Sequence, residues 1–157
     1  MEFRRALGQF ATGITVVTTK DAGDRPQGLT VNAFCSVSLE PPLVLVCIDR
    51  RAEANVGLAH TARFTVSVLS EGQEHLSRRF AAGGPMKFEG VELATGASGL
   101  PVIPGALATL ECRLVAAHDA GDHTIYIGAV EHLACTPGRP LVYHGSTYRR
   151  LETAGPA

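Results

Sequence analysis

The 157-residue chain is long enough for one domain with a single substantial core. Hydrophobic residues make up 45% of it and charged residues 18%, with a formal net charge of −1; the basic surplus that nucleic acid requires is missing. No apolar run approaches the length of a membrane span and no secretory leader opens the chain, which points to a cytoplasmic protein without a membrane partner.

Phe3, Leu7 and Phe10 recur at i, i+4 and i+7, so the first ten residues predict a short amphipathic helix that little precedes, ended by Gly13. Ile14 to Thr19 is almost wholly β-branched and predicts a strand. Asp21 to Pro26 (DAGDRP) is a turn, and Gln27 to Asn32 returns antiparallel. Gly28 to Asp49 then passes from small and polar residues (Thr30, Asn32, Ala33, Cys35, Ser36, Ser38) through Pro41-Pro42 to the apolar run Leu43 to Ile48. That run predicts a strand buried on both faces, and the polar stretch beside it is a plausible wall of a ligand site. Asp49 is placed to cap a helix over about Arg51 to His60.

Phe64, Val66 and Val68 alternate with Thr65 and Ser67, the period of a strand. Ser70 with Gln73 predicts a capping box for a helix running to about Phe80. Ala81 to Pro85 reads as a flexible loop closed by Gly84-Pro85, and Gly90 to Pro104 as a surface crossing. Ala106 to Ala117 is a long strand, Ala120 to His123 a turn, Thr124 to Leu133 its antiparallel partner, and Leu141 to Tyr143 a last short strand. No repeat or second domain interrupts residues 1–157. Six or seven strands with hairpin connections and two longer helices predict a mainly β fold, an antiparallel barrel with helices packed outside.

The usual catalytic signatures are missing. There is no G-x-S-x-G elbow, no HExxH, no P-loop and no G-x-G-x-x-G turn. His132 and Cys135 are spaced like metal ligands but lack a second pair, so no metal is expected. Cys35, Cys47, Cys112 and Cys135 read as reduced thiols packed as small apolar residues. With no acid–base or nucleophile set, the residues suit a protein whose chemistry belongs to a bound cofactor, and equally a pure binding module.

Four segments, Phe3 to Thr19, Gly28 to Ala52, Gly121 to Glu131 and Leu141 to Tyr148, occur in an order that resembles the flavin reductase-like family of FMN-binding split-barrel proteins. These are the reductase components of two-component flavin-dependent monooxygenases. The resemblance implies a homodimer that passes hydride from NADH or NADPH to FMN or FAD, with reduced flavin leaving for a separate monooxygenase. It implies that Thr30, Val31, Asn32 and Ala33 face the isoalloxazine edge, and that Ser36, Val37 and Ser38 line the ring or ribityl chain. Asp49, Arg50, Arg51 and Asn55 are expected near the ribityl phosphate; Phe80, Lys87 and Phe88 match a further flavin-side segment. His123 and Tyr148 are expected on the nicotinamide side. No residue is expected to transfer a proton, because alignment of the two rings is the protein's main contribution. A flavin carrier on the same barrel is the alternative, though a carrier needs no nicotinamide pocket. A pyridoxamine phosphate-type oxidase would want a second basic cluster, and a ligand-free structural module remains open on composition alone.

Overall fold

The computed structural model describes residues 2–152. A first helix α1 (Glu2–Leu7) and a short strand β1 (Thr12–Gly13) lead into the β-branched run, which forms β2 (Thr15–Lys20). The Asp21 carboxylate then accepts from the amides of Gly23 at 2.9 Å and Arg25 at 3.1 Å, fixing the turn. The chain therefore returns antiparallel as β3 (Pro26–Val31), with Thr15 opposite Val31 and Lys20 opposite Pro26.

There follow β4 (Phe34–Leu39), β5 (Pro42–Asp49), α2 (Ala54–Thr61), β6 (Arg63–Val68), α3 (Glu74–Ala81), the two-residue strands β7 (Ala94–Thr95) and β8 (Pro101–Val102), the long pair β9 (Ala108–Ala120) and β10 (His123–Cys135), and β11 (Val142–His144) with β12 (Thr147–Arg149). The main sheet runs β3-β2-β6-β9-β10-β5-β4, and each of its pairings is antiparallel. Laid flat, its two edge strands would stand about 29 Å apart at a spacing of about 4.8 Å. Yet β3 and β4 are joined only by Asn32 and Ala33, a link whose reach is at most about 11 Å. The sheet must curl until its edges meet at Asn32–Ala33, which makes it a split barrel.

Apolar residues fill the two sides of this curled sheet. One core holds Val17, Val31, Val44, Val46, Ile48, Leu58, Phe64, Val66, Cys112 and Tyr126. The other holds Ile14, Val16, Leu69, Phe80, Ile103 and Leu141. Adjacent residues Val16 and Val17 thus enter different cores, so β2 is covered on both faces. In β6, the hydroxyl residues Thr65 and Ser67 are as buried as Phe64 and Val66.

Several expectations are corrected by packing. Strand β5 is buried on one face only: Val44, Val46 and Ile48 point inward, while Leu43, Leu45 and Cys47 are half-buried. Asp49 ends β5, opposite His123, and its carboxylate accepts from the Arg51 amide at 2.9 Å; helix α2 starts later, with Glu53 at its cap position. Gly13 joins a strand, and Phe3, Leu7 and Phe10 are all exposed on the single chain. Gly84-Pro85 does not end regular structure, because Pro85–Phe88 form a 3-10 turn. The Gly90 to Pro104 crossing carries core: Leu100 and Ile103 are buried. His123 belongs to β10, leaving Gly121 and Asp122 as the turn. Of the cysteines only Cys112 is buried, its thiol pushed up to about 12 by burial; Cys35 and Cys135 are exposed. The expected six- to seven-stranded antiparallel barrel is the seven-stranded main sheet, which five short strands accompany among the described residues.

Candidate active site

The barrel wall, the start of α2 and the end of α3 enclose a cleft of about 260 Å³. Gly28, Leu29 and Thr30 of β3 form its floor, Arg51 to Ala54 one side, and Phe80 to Gly84 with Lys87 the other. Gly28 is a close approach: a Cβ there would stand 3.0 Å from the Val17 carbonyl oxygen and 3.1 Å from the Phe88 ring. A second cleft of about 440 Å³ shares Glu53 and Lys87 with the first and adds Arg25, Pro26, Gln27 and Phe88. Alone, the first falls just under the ~300–1,000 Å³ usual for small-molecule sites; the two joined fall within it.

Three charged residues line the cleft, the cations Arg51 and Lys87 and the carboxylate of Glu53. The Arg51 guanidinium donates to both oxygens of Asp49, at 3.1 and 2.8 Å. This bidentate pair holds the Asp49 carboxyl well below the usual carboxylate range and raises the arginine's pKa in turn. Asn55 builds the loop that carries it. Its Nδ2 donates to the carbonyls of Asp49 at 2.9 Å and Ala52 at 3.0 Å, and its Oδ1 accepts from the Tyr126 hydroxyl at 2.8 Å.

The expected residues divide accordingly. Thr30, Arg51, Phe80 and Lys87 line the first cleft and Phe88 the second. The Thr30 hydroxyl donates to the Ser77 carbonyl at 2.6 Å, tying β3 to α3, and Phe80 is buried edge-on against Phe88 at 5.0 Å between centroids. The Val31 side chain lies in the core, which leaves its backbone as the part that could meet a ligand. Asn32 and Ala33 form the exposed barrel seam, where Ala33 accepts from the Cys47 amide at 3.0 Å. Ser36 and Ser38 flank a register shift on β4 that turns Val37 out as a bulge. Asn55 is occupied within the fold rather than open to a ligand. Arg50 reaches Asp119 at 3.7 Å, on the β9–β10 hairpin.

The nicotinamide-side pair is not brought together within one protomer by these contacts. His123 lies opposite Asp49, with Nδ1 2.7 Å from the Asp122 carboxylate. Tyr148 lies on β12 of the small sheet, its hydroxyl 2.8 Å from Ser77 Oγ and its ring beneath the Arg78 guanidinium at 4.7 Å. Of the cleft lining, sequence reading did not single out Ala52, Glu53 or the Ala82–Gly84 rim, for which the Gly83-Gly84 pair was the available signal. Among the described residues no group of three His, Cys, Asp or Glu side chains is placed to hold a metal, and no helix is long and apolar enough to cross a membrane.

A split barrel with a small-walled cleft lined by two cations and one carboxylate is an architecture that suits a protein whose chemistry belongs to a bound group. The chain belongs to the flavin reductase family: residues 7–152 match the flavin reductase like domain. It is 43% identical over 157 residues to an NADH-dependent flavin reductase of a Rhodococcus species, covering 99% of this chain and 88% of the relative. It is 45% identical over 150 residues to the reductase component of 4-hydroxyphenylacetate 3-monooxygenase from Thermus thermophilus, covering 95% of each. The NADH:FAD oxidoreductase SgcE6 of Streptomyces globisporus, solved with NAD and FAD fragments, superposes with a TM-score of 0.90 at 41% identity over 96% of this chain and 92% of that one.

Proposed function

We propose that this chain reduces free flavin with NADH in the Arg51–Lys87 cleft and releases it to a separate flavin-dependent monooxygenase. The observation that carries the placement is the cleft itself: small residues line it from Gly28 to Thr30 and from Ala81 to Gly84, and Arg51 and Lys87 offer two cations to a phosphate beside Glu53. Both FMN and FAD carry a ribityl phosphate, so these residues fit either. The isoalloxazine ring then lies along the seam from Thr30 to Ala33, beside Ser36 to Ser38, with His123 on the nicotinamide side. Hydride transfer between the nicotinamide and flavin rings is the chemistry of the bound groups. The chain contributes alignment, exclusion of water and backbone donors for the negative charge that develops on the flavin.

The seam residues are exposed in one copy, as are Phe3, Leu7, Phe10, Val37, Leu39, Val115 and Leu133. Large apolar side chains in such number on a single protomer support a homodimer. The test is NADH oxidation by purified protein, followed by nicotinamide absorbance with and without FMN or FAD. Oxidation that depends on added flavin is expected. A yellow protein that leaves NADH untouched would favour a flavin carrier and overturn the proposal.

A further inference from the structure

Lys87 sits on a segment held to the barrel through its neighbour Phe88, which packs on β3 and the second core. The chain leaves α3 through Gly83 and Gly84, the latter at φ +103°, and turns again at Gly90, at φ +68°. A Cβ at Gly84 or Gly90 would meet nothing within 4 Å, so these glycines serve backbone conformation and not close packing. Between them the 3-10 turn Pro85–Phe88 is held, among the described residues, through Phe88, which packs on Gly28 of β3 and on the second core, and through Arg79. Within that core Phe88 meets Phe80 edge-on. Arg79 lies on the last turn of α3. Its Nε donates to the Lys87 carbonyl at 2.8 Å; its Nη2 donates to the Met86 carbonyl at 3.2 Å and also to the Glu89 carbonyl.

One planar guanidinium therefore gathers three carbonyls of the turn, including that of Lys87 itself. Only a fork of fixed donors does this; a lysine ammonium is a point charge on a flexible stem. Arg79 is itself exposed and contributes to neither core, so its bonds determine where the turn sits more than whether the domain folds. We infer that Arg79 is a positioning residue for flavin: it holds the Lys87 turn against the cleft and sets flavin affinity through Lys87. This rests on the reading of the cleft as the flavin phosphate site.

The experiment is a double-mutant cycle on the full chain: Arg79→Ala, Lys87→Ala and both together. The readouts are flavin Kd from fluorescence titration, KM for flavin and for NADH, and the thermal midpoint. Each single variant is expected to weaken flavin about tenfold, the effect of losing one charge-assisted contact. The double variant is expected to fall within about twofold of Lys87→Ala, because residues acting through one another are not additive. The change should appear in KM for flavin and not in KM for NADH, and Arg79→Lys should fail to rescue it. Tryptic cleavage after Lys87 should also quicken in Arg79→Gln without flavin, a readout that survives if the alanine variant folds poorly. If Lys87→Ala leaves flavin binding unchanged, the phosphate-site reading falls. If Lys87→Ala weakens flavin while Arg79→Ala does not, or the two effects multiply, Arg79 has no positioning role.

Discussion

Replacing Asn55 by alanine removes three hydrogen bonds at once, two to the Asp49 and Ala52 carbonyls and one from Tyr126. At a net ~0.5–1.5 kcal/mol each, the loss sums to about 1.5–4.5 kcal/mol, and the half-buried groups left without partners push toward the upper end. The assay is urea unfolding, in which the midpoint should fall while the slope holds. Tyr126→Phe alone should cost about 1 kcal/mol, since it deletes one of the same bonds. Added to Asn55→Ala it should cost almost nothing, because the partner is already gone. The same loop carries Arg51, so KM for flavin should rise in the folded fraction. An Asn55→Ala cost under about 1 kcal/mol, or a Tyr126→Phe effect that adds in full, would refute the view that this amide holds the Asp49–Ala52 loop.

Gly57→Ala should destabilise by about 1–3 kcal/mol, opposite to the gain usual for such a change within a helix, and a thermal melt reads the sign. The added Cβ would stand 2.7 Å from the Thr19 methyl and 2.8 Å from the Lys20 carbonyl, so α2 would have to lift from β2. Burial works to raise the Glu111 pKa, but hydrogen bonds from Ser98 and the Ala97 amide outweigh it and hold the carboxyl below its ordinary value. Its stabilising contribution is therefore present above the unfolded value of about 4.3 and is lost as pH falls through the lower folded value. Glu111→Gln should lower stability at neutral pH and flatten the acid limb of a stability–pH curve; parallel curves for the two proteins would contradict this. His123→Ala should raise KM for NADH more than KM for flavin in steady-state kinetics, and equal changes would remove His123 from the nicotinamide side.

What could be read from the sequence was mostly local. β-Branched and alternating residues gave β2, β6, β9 and β10, because side-chain period and backbone preference agree there. The Ser70–Gln73 pairing was likewise readable, and the Ser70 amide does donate to the Gln73 side chain at 3.1 Å. Misreadings arose where a distant partner decided the outcome. Asp49 has the chemistry of a helix cap, but pairing with His123 carries β5 through it and Arg51 then takes its carboxylate. The Gly90 to Pro104 stretch has the composition of a loop. It reaches the core because Glu111 holds the Ala97 and Ser98 amides and Ser67 Oγ accepts from the Ile103 amide at 3.3 Å.

The same division runs through the site. Thr30, Arg51 and Lys87 were named through a family resemblance over ordered segments, and all three line one cleft. For Asn55, sequence order sets it beside Arg51 without showing that Tyr126 and two carbonyls engage its amide. Arg79 left no sequence signal at all, since its partners are backbone carbonyls, which every residue has. Side chains that bind a ligand are constrained in type and can be read from sequence. Those that hold the binding segment in place are constrained by geometry, and the folded chain is needed to see them.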